Sequence, residues 1–474
     1  MDILPVELLR LIFSHCEPES VRNLREVTRL LADVGYEYLL SPRFTAVSWR
    51  NDIDRLHSIA LHERLRGSVT SICIFLGELS YYDARSTSCG PNGPPTHSTG
   101  NHPHGDIRFD FQDFQKRTDL AHLFHRFQHF VTPPDQRNEV LGSAQQEFDR
   151  IEKGRKRVGP LHLRADDLRE ACSALPSLED FEVTFTQCPL DNDVLKEVFD
   201  YPSCRKLDRP TTYSNLDAII FALHGIRLKS FKVDRLPLEM FRLPAHVRHW
   251  RAHAQSFGNL ETLNLTLDPS GLQGPASAFR AVNGLGGILQ IAKGLRKLKL
   301  AFHPYTSENS KFALSFRELF WNFTFQNLTD LTLEGISCEE EDLKDFLARH
   351  GSTLLRLRLG GRGLAKPFEV SLGGMHLYEG TFRSLFTGLR AKLPKLERMH
   401  LEGIFECEHH DLPSHEAYNF YPLTNENWEE VPRPRWVRSS RRTISCLPFE
   451  HYVLCGGPYP GNALAQQNYW NDEA

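Results

Sequence analysis

The 474-residue chain has ten cysteines but no CxxC pair, so neither a metal ribbon nor a dithiol redox motif is expected. No apolar run approaches the ~18 residues that a membrane helix requires, and the richest, Ala218 to Leu223, is far shorter. The apolar opening MDILPVELLRLIFSHC lacks a basic leader and is interrupted by Glu7 and Arg10, so no secretion signal is read. Free thiols in a reducing compartment, cytoplasmic or nuclear, are the expectation. With a formal net charge of -4 the chain also lacks the basic excess of a dedicated nucleic-acid or membrane-surface binder, which leaves proteins as the expected partners.

Catalytic signatures are missing too. There is no GxSxG elbow, HExxH helix or kinase set, so no nucleophile and base can be named and no enzyme is expected. The glycine clusters Asn283-Gly284-Leu285-Gly286-Gly287 and Gly360-Gly361-Arg362-Gly363 complete neither GxGxxG nor GxxxxGK[ST] and read as turns. Cys407, His409, His410 and Asp411 lie close in sequence, and His102 and His104 flank a proline. Neither group has a second ligand pair at tetrahedral-site spacing, so no metal and no cofactor is expected. The acidic run Glu339-Glu340-Glu341-Asp342 fits a helix start, where negative charge meets the positive end of the dipole.

What the chain does contain begins with helices. Pro5 suits a first helical position, whose N–H has no intrahelical partner. Leu4, Leu8, Leu11, Ile12 and Cys16 then form one stripe at helical spacing, which Leu9 and Phe13 widen to two apolar faces. Glu17-Pro18-Glu19-Ser20 breaks this helix, with Ser20 expected to cap a second over Val21 to Glu26. Val27, Leu30, Leu31, Val34 and Tyr38 carry a third up to Ser41-Pro42. Three helices this short carry more apolar surface than they can bury among themselves, so a partner is expected on the remaining face.

The string LPVELLRLIFSHCEPESVRNLREVTRLLADVG resembles the F-box, the motif that docks onto the Skp-type adaptor of cullin-based SCF ubiquitin ligases. The likeness is carried by Leu4-Pro5-Val6-Glu7-Leu8-Leu9, Ile12-Phe13, the acidic turn at Glu17-Pro18-Glu19-Ser20, and Leu24, Val27 and Leu30-Leu31. It implies adaptor contacts by Leu4, Pro5, Leu8, Leu9, Ile12, Leu24, Val27, Leu30 and Leu31.

Further along, LxxLxL recurs as Leu260/Leu263/Leu265, Leu295/Leu298/Leu300, Leu328/Leu331/Leu333 and Leu354/Leu357/Leu359. Looser copies are Leu178/Phe181/Val183, Leu228/Phe231/Val233 and Leu396/Met399/Leu401, with Val69/Ile72/Ile74 a possible outlier. Alternate strand residues point to opposite faces, so the last two apolar residues of each unit enter a core while the residue between them faces out. Helical stretches such as Leu314 to Trp321, Glu339 to His350 and Tyr378 to Lys392 are long enough to return the chain for the next parallel strand. The pattern resembles the leucine-rich-repeat horseshoe, with units of roughly 26 to 42 residues and so an irregular solenoid. The outward residues Glu182, Lys232, Asn264, Lys299, Thr332, Arg358 and His400 would line its concave face and are the candidate target contacts. Their mixed charge suits a protein surface better than a phosphate backbone.

Residues 82–106, dense in proline, glycine and serine, are expected to form a flexible insert. Gln145 to Arg157 reads as a helix, and its Lys153-Gly154-Arg155-Lys156-Arg157 end as a solvated basic patch, with a nuclear address as the alternative. The fold class is therefore α/β: a three-helix F-box-like motif over 1–42, a helical linker region over 43–160, a repeat solenoid with parallel strands and helices on its convex side over 161–404, and a cap or tail over 405–474. An F-box-like start with a leucine-rich-repeat body resembles the large fungal-type families of F-box proteins. That implies the substrate-recognition subunit of an SCF-type ubiquitin ligase, with the Skp-type adaptor, the cullin core and a target protein as partners. The alternative is a repeat scaffold or inhibitor not tied to ubiquitination, its N-terminal helices serving as a cap.

Overall fold

A computed structural model describes residues 4–47, 49–77, 137–158, 163–187, 207–302, 313–361, 374–407, 417–420 and 444–460. The insert expected at 82–106, both histidine loops and Arg362-Gly363 lie outside them.

Three short helices open the chain: α1 (Val6–Ser14), α2 (Pro18–Arg25) and α3 (Arg29–Val34), the last continued by a 3-10 turn over Gly35–Tyr38. Pro5 sits at the N-cap of α1, its carbonyl accepting from the amides of Leu8 and Leu9. The second helix begins at Pro18, ahead of the expected Ser20 cap, because proline at N1 sacrifices no hydrogen bond and enters with φ already helical. Thr28 caps α3, accepting from the Leu31 amide at 3.2 Å. Leu9, Phe13, Val21, Leu31 and Val34 form a small core of their own.

The other described residues are α/β, built on an open sheet of twelve described strands. Its strands are β1 (Arg43–Ala46), β2 (Ser71–Phe75), β3 (Asp180–Thr184), β4 (Ser230–Pro237), β5 (Thr262–Asp268), β6 (Lys297–Phe302), β7 (Asp330–Glu334), β8 (Ile336–Glu339), β9 (Arg356–Gly360), β10 (Gly374–Glu379), β11 (Arg398–Cys407) and β12 (Ala417–Phe420). They lie in the order β1-β2-β3-β4-β5-β6-β7-β9-β11-β10-β8, with β12 also on β11, and every pairing is parallel except the antiparallel β11–β12. The sheet begins upstream of residue 161, the expected start of the repeats: β1 has no leucine signature, and β2 is the outlying Val69/Ile72/Ile74 copy.

Among the described residues ten α-helices accompany these strands: α4 (Asp52–Leu61), α5 (Arg137–Val158), α6 (Ala165–Ser173), α7 (Arg209–Ala222), α8 (Pro244–His253), α9 (Pro275–Leu289), α10 (Phe316–Phe320), α11 (Glu340–Arg349), α12 (Phe382–Lys392) and, after the last strand, α13 (Leu447–Cys455). Tyr378, expected in a helix, belongs to β10. Apart from the half-buried Leu396, the three apolar residues of every LxxLxL copy are buried in one continuous core that also takes in the helix faces. Asn283 to Gly287 is not a turn but the C-terminal half of α9. Its glycines serve close packing: a Cβ on Gly286 would stand 1.8 Å from the Leu319 carbonyl oxygen, and one on Gly284 2.3 Å from that of Phe241.

Past β7 the ladder doubles. Gly335 (φ 62°) turns the chain from β7 into β8, and Gly403 (φ 83°) lies inside β11, whose first half pairs β9 and whose second half pairs β10. The β8–β10–β11 ladder thus extends the main sheet beyond the ends of β7 and β9.

Candidate functional site

Strand register brings the seven outward residues together. Cys73, Glu182, Lys232, Asn264, Lys299, Thr332, Arg358 and His400 are successive cross-strand partners from β2 to β11, one row across the sheet. The row is open only in its middle. Cys73, 3% exposed, is covered at one end, and burial pushes its thiol up, with Arg43 pulling against the shift. At the other end His400, expected on the open face, is 2% exposed, its Nδ1 3.0 Å from the Cys446 sulfur. The residue just ahead of α13 lies over His400, a tertiary contact that strand alternation alone does not reveal.

Charges along this face are largely paired toward its flanks. Arg43 reaches Glu182 at 3.1 Å, Arg356 meets Asp330 at 2.6 Å, and Arg358 bonds Glu402. In the middle, Lys299 contacts Glu334 at 2.8 Å, while the exposed Lys232 and Lys297 form no ion pair with any described residue. Neighbouring outward positions on these strands, Thr262, Asn264, Thr266 and Thr332, are half-buried hydrogen-bonding groups.

The nine N-terminal residues divide between two faces. Leu9 and Leu31 are buried within the three-helix core, and Leu4, Leu24 and Leu30 pack on its border. Pro5, Leu8, Ile12 and Val27 are exposed. The inward turn of Leu9 and Leu31 corrects the expectation that all nine face a partner: with two apolar faces on α1, one must close the module's own core. Two residues not singled out as contacts, Val6 and Leu11, are exposed as well, Leu11 at 56%. Leu8, Leu11 and Ile12, at i, i+3 and i+4, share one uncovered face of α1.

Two polar groupings carry no sequence motif. Ser337, His376 and Glu406 are register partners across β8, β10 and β11, and Ser337 Oγ lies 3.1 Å from His376 Nδ1. Ser337 and His376 are both buried, so their pair ties β8 to β10 inside the ladder. Asp234, half-buried at the β4 irregularity, accepts from the Phe185 and Thr186 amides and from the Thr184 and Thr186 hydroxyls, which holds the end of β3. Burial pushes its carboxyl up, and these donors oppose the shift.

Among the described residues, no group of three or more histidine, cysteine or acidic side chains is placed to hold a metal ion, and no helix is long and apolar enough to cross a membrane. No protein-family model matches the chain, and no curated protein matches it either.

Proposed function

We propose that the chain is a recognition subunit of an SCF-type ubiquitin ligase, docking a Skp-type adaptor through α1 and a target protein through the outward face of the sheet. The observation that carries this reading is the division of labour on α1. Leu9 and Phe13 close the module's core while Leu8, Leu11 and Ile12 remain uncovered, an apolar face that water disfavours and a partner would bury. The module stands beside a sheet whose central face is open and polar, so one chain offers two separate surfaces. Bridging them raises the target's effective concentration near the ligase without any bond chemistry in this chain.

The capping alternative has its own support in the contacts between module and sheet region: Tyr36 Oη with His62 Nε2 at 3.0 Å, Arg64 with Asp33 at 3.3 Å, and Ser68 donating to the Glu37 carbonyl at 2.8 Å. A pull-down of the full chain on purified Skp-type adaptor separates the two. The wild type is expected to be retained and the Leu8→Asp/Ile12→Asp double variant lost, with unchanged circular dichroism and melting because neither side chain is internal. Failure of the folded wild type to bind would leave the cap as the better account.

A further inference from the structure

We infer that the outward face of β4, β5 and β6 binds an extended, carboxylate-rich segment of a partner protein, with Lys232, Lys297 and Lys299 as its charge contacts. The inference rests on the reading that this sheet face selects the target, and it names the chemistry of that target.

Lys232 and Lys299 occupy the same row two strands apart, roughly 10 Å, and Lys297 lies two residues before Lys299, roughly 7 Å along β6. Together they make a triangle of cations on the scale of a few residues of extended peptide. Most nearby carboxylates are already engaged: Glu182 with Arg43, Asp330 with Arg356 and Glu334 with Lys299. The exposed Asp180 lies at the β3 margin, opposite Ser230. Glu334 offsets Lys299, and Asp234, two residues past Lys232 on the same face, is turned to the end of β3, so Lys232 and Lys297 keep no ion pair among the described residues and the three lysines exceed these two carboxylates by one charge inside a chain of formal net charge -4.

Thr262, Asn264, Thr266 and Thr332 supply hydrogen-bonding groups between the cations, suited to the backbone of an extended segment. Lysine is a flexible point charge that follows irregularly spaced carboxylates. No aromatic side chain stands at the outward positions of β4 to β7, Ser230, Lys232, Asp234, Thr262, Asn264, Thr266, Lys297, Lys299, Ala301, Asp330, Thr332 and Glu334, so the window lacks the stacking platform that single-stranded nucleic acid requires.

The test is fluorescence anisotropy of labelled octaglutamate, octaserine and phosphoserine octapeptides with the full chain. Octaglutamate is expected to bind at least about tenfold more tightly than octaserine and to weaken with salt. Lys232→Glu/Lys297→Glu should weaken it by about tenfold or more, whereas Lys153→Glu/Lys156→Glu, the same charge change on the exposed end of α5, should leave it unaltered. Equal weakening by both double variants, no effect of the first, or binding of the phosphoserine peptide alone would overturn the inference. The adaptor pull-down on the same variants keeps the readings apart: adaptor binding without octaglutamate binding sinks this inference only, and the reverse sinks the ligase reading only.

Discussion

His350 shows how one side chain can be fixed by its surroundings. It is fully buried, with Nδ1 2.8 Å from the Phe346 carbonyl oxygen and Nε2 accepting from the Phe325 amide at 3.1 Å. The carbonyl can only accept and the amide can only donate, so the ring is neutral with its proton on Nδ1. Burial lowers its pKa below 6.5, and Arg349 adds to the shift. His253, with the rings of His249 and His224 at 4.6 and 5.4 Å, is lowered as well, by burial first and then by these neighbours and Arg169. Below pH 6.5 the unfolded chain binds protons that the folded chain refuses, so stability is fully present above that pH and declines as pH falls toward the depressed folded-state values. Denaturant melts at pH 7.5 and 5.5 should show the wild type losing more stability than His350→Gln at the lower pH. Equal losses would show that His350 does not contribute. At this scale little was legible beforehand, because burial of a histidine depends on which helix returns over it, as His400 under Cys446 shows.

At the scale of single elements, packing decides where local pattern misleads. Gly284 and Gly286 look like turn formers, yet they lie in α9 because the Phe241 and Leu319 carbonyls leave no room for a Cβ. Helix propensity alone makes Gly→Ala favourable by about 1 kcal/mol. Overpacking should reverse that sign, and Gly286→Ala is expected to lower stability by about 2 kcal/mol, read from chemical denaturation. A gain would mean that α10 can move aside at little cost. The strand cores, by contrast, were readable: LxxLxL spacing fixes which side chains point inward, and the parallel register then lines up Glu182 through Arg358 without further information. β1 was not, because Phe44 and Ala46 form too short an apolar alternation to stand out. The acidic run at Glu339 was placed correctly at a helix start, but besides Lys344 of the same helix it reaches the starts of two others: Asp342 accepts from the Arg317 amide at 2.8 Å and Glu340 from that of Thr381 at 2.8 Å.

A parallel sheet that grows by adding one unit after another must also close its last strand, and α13 supplies part of that closure. Glu450 accepts from the Met399 amide at 3.0 Å and from Arg398 Nε at 3.1 Å, and α13 packs against α12. Glu450→Ala should therefore speed hydrogen exchange at Met399 and lower stability by about 1 to 3 kcal/mol, the cost of stranding a half-buried donor. Unchanged protection there would assign closure of the edge to β12 alone.

For the molecule as a whole, the division of the described residues into two cores has an energetic consequence. The main core runs without interruption from Phe44 to Tyr459, whereas Leu9, Phe13, Val21, Leu31 and Val34 form a separate cluster joined to it by exposed polar bonds such as Arg64–Asp33. Exposed ion pairs contribute only about 0 to 1 kcal/mol, so little couples the module's unfolding to that of the sheet. A core this small, with an apolar face still in water, belongs at the low end of local stability. Leu31→Ala removes one of its buried side chains and should cost about 2 to 4 kcal/mol within the module. Hydrogen exchange is expected to show protection lost over residues 4–38 and retained in β4 to β7. If protection instead fell together across both regions, the two cores would unfold as one cooperative unit, and α1 could not be loosened or docked independently of the sheet.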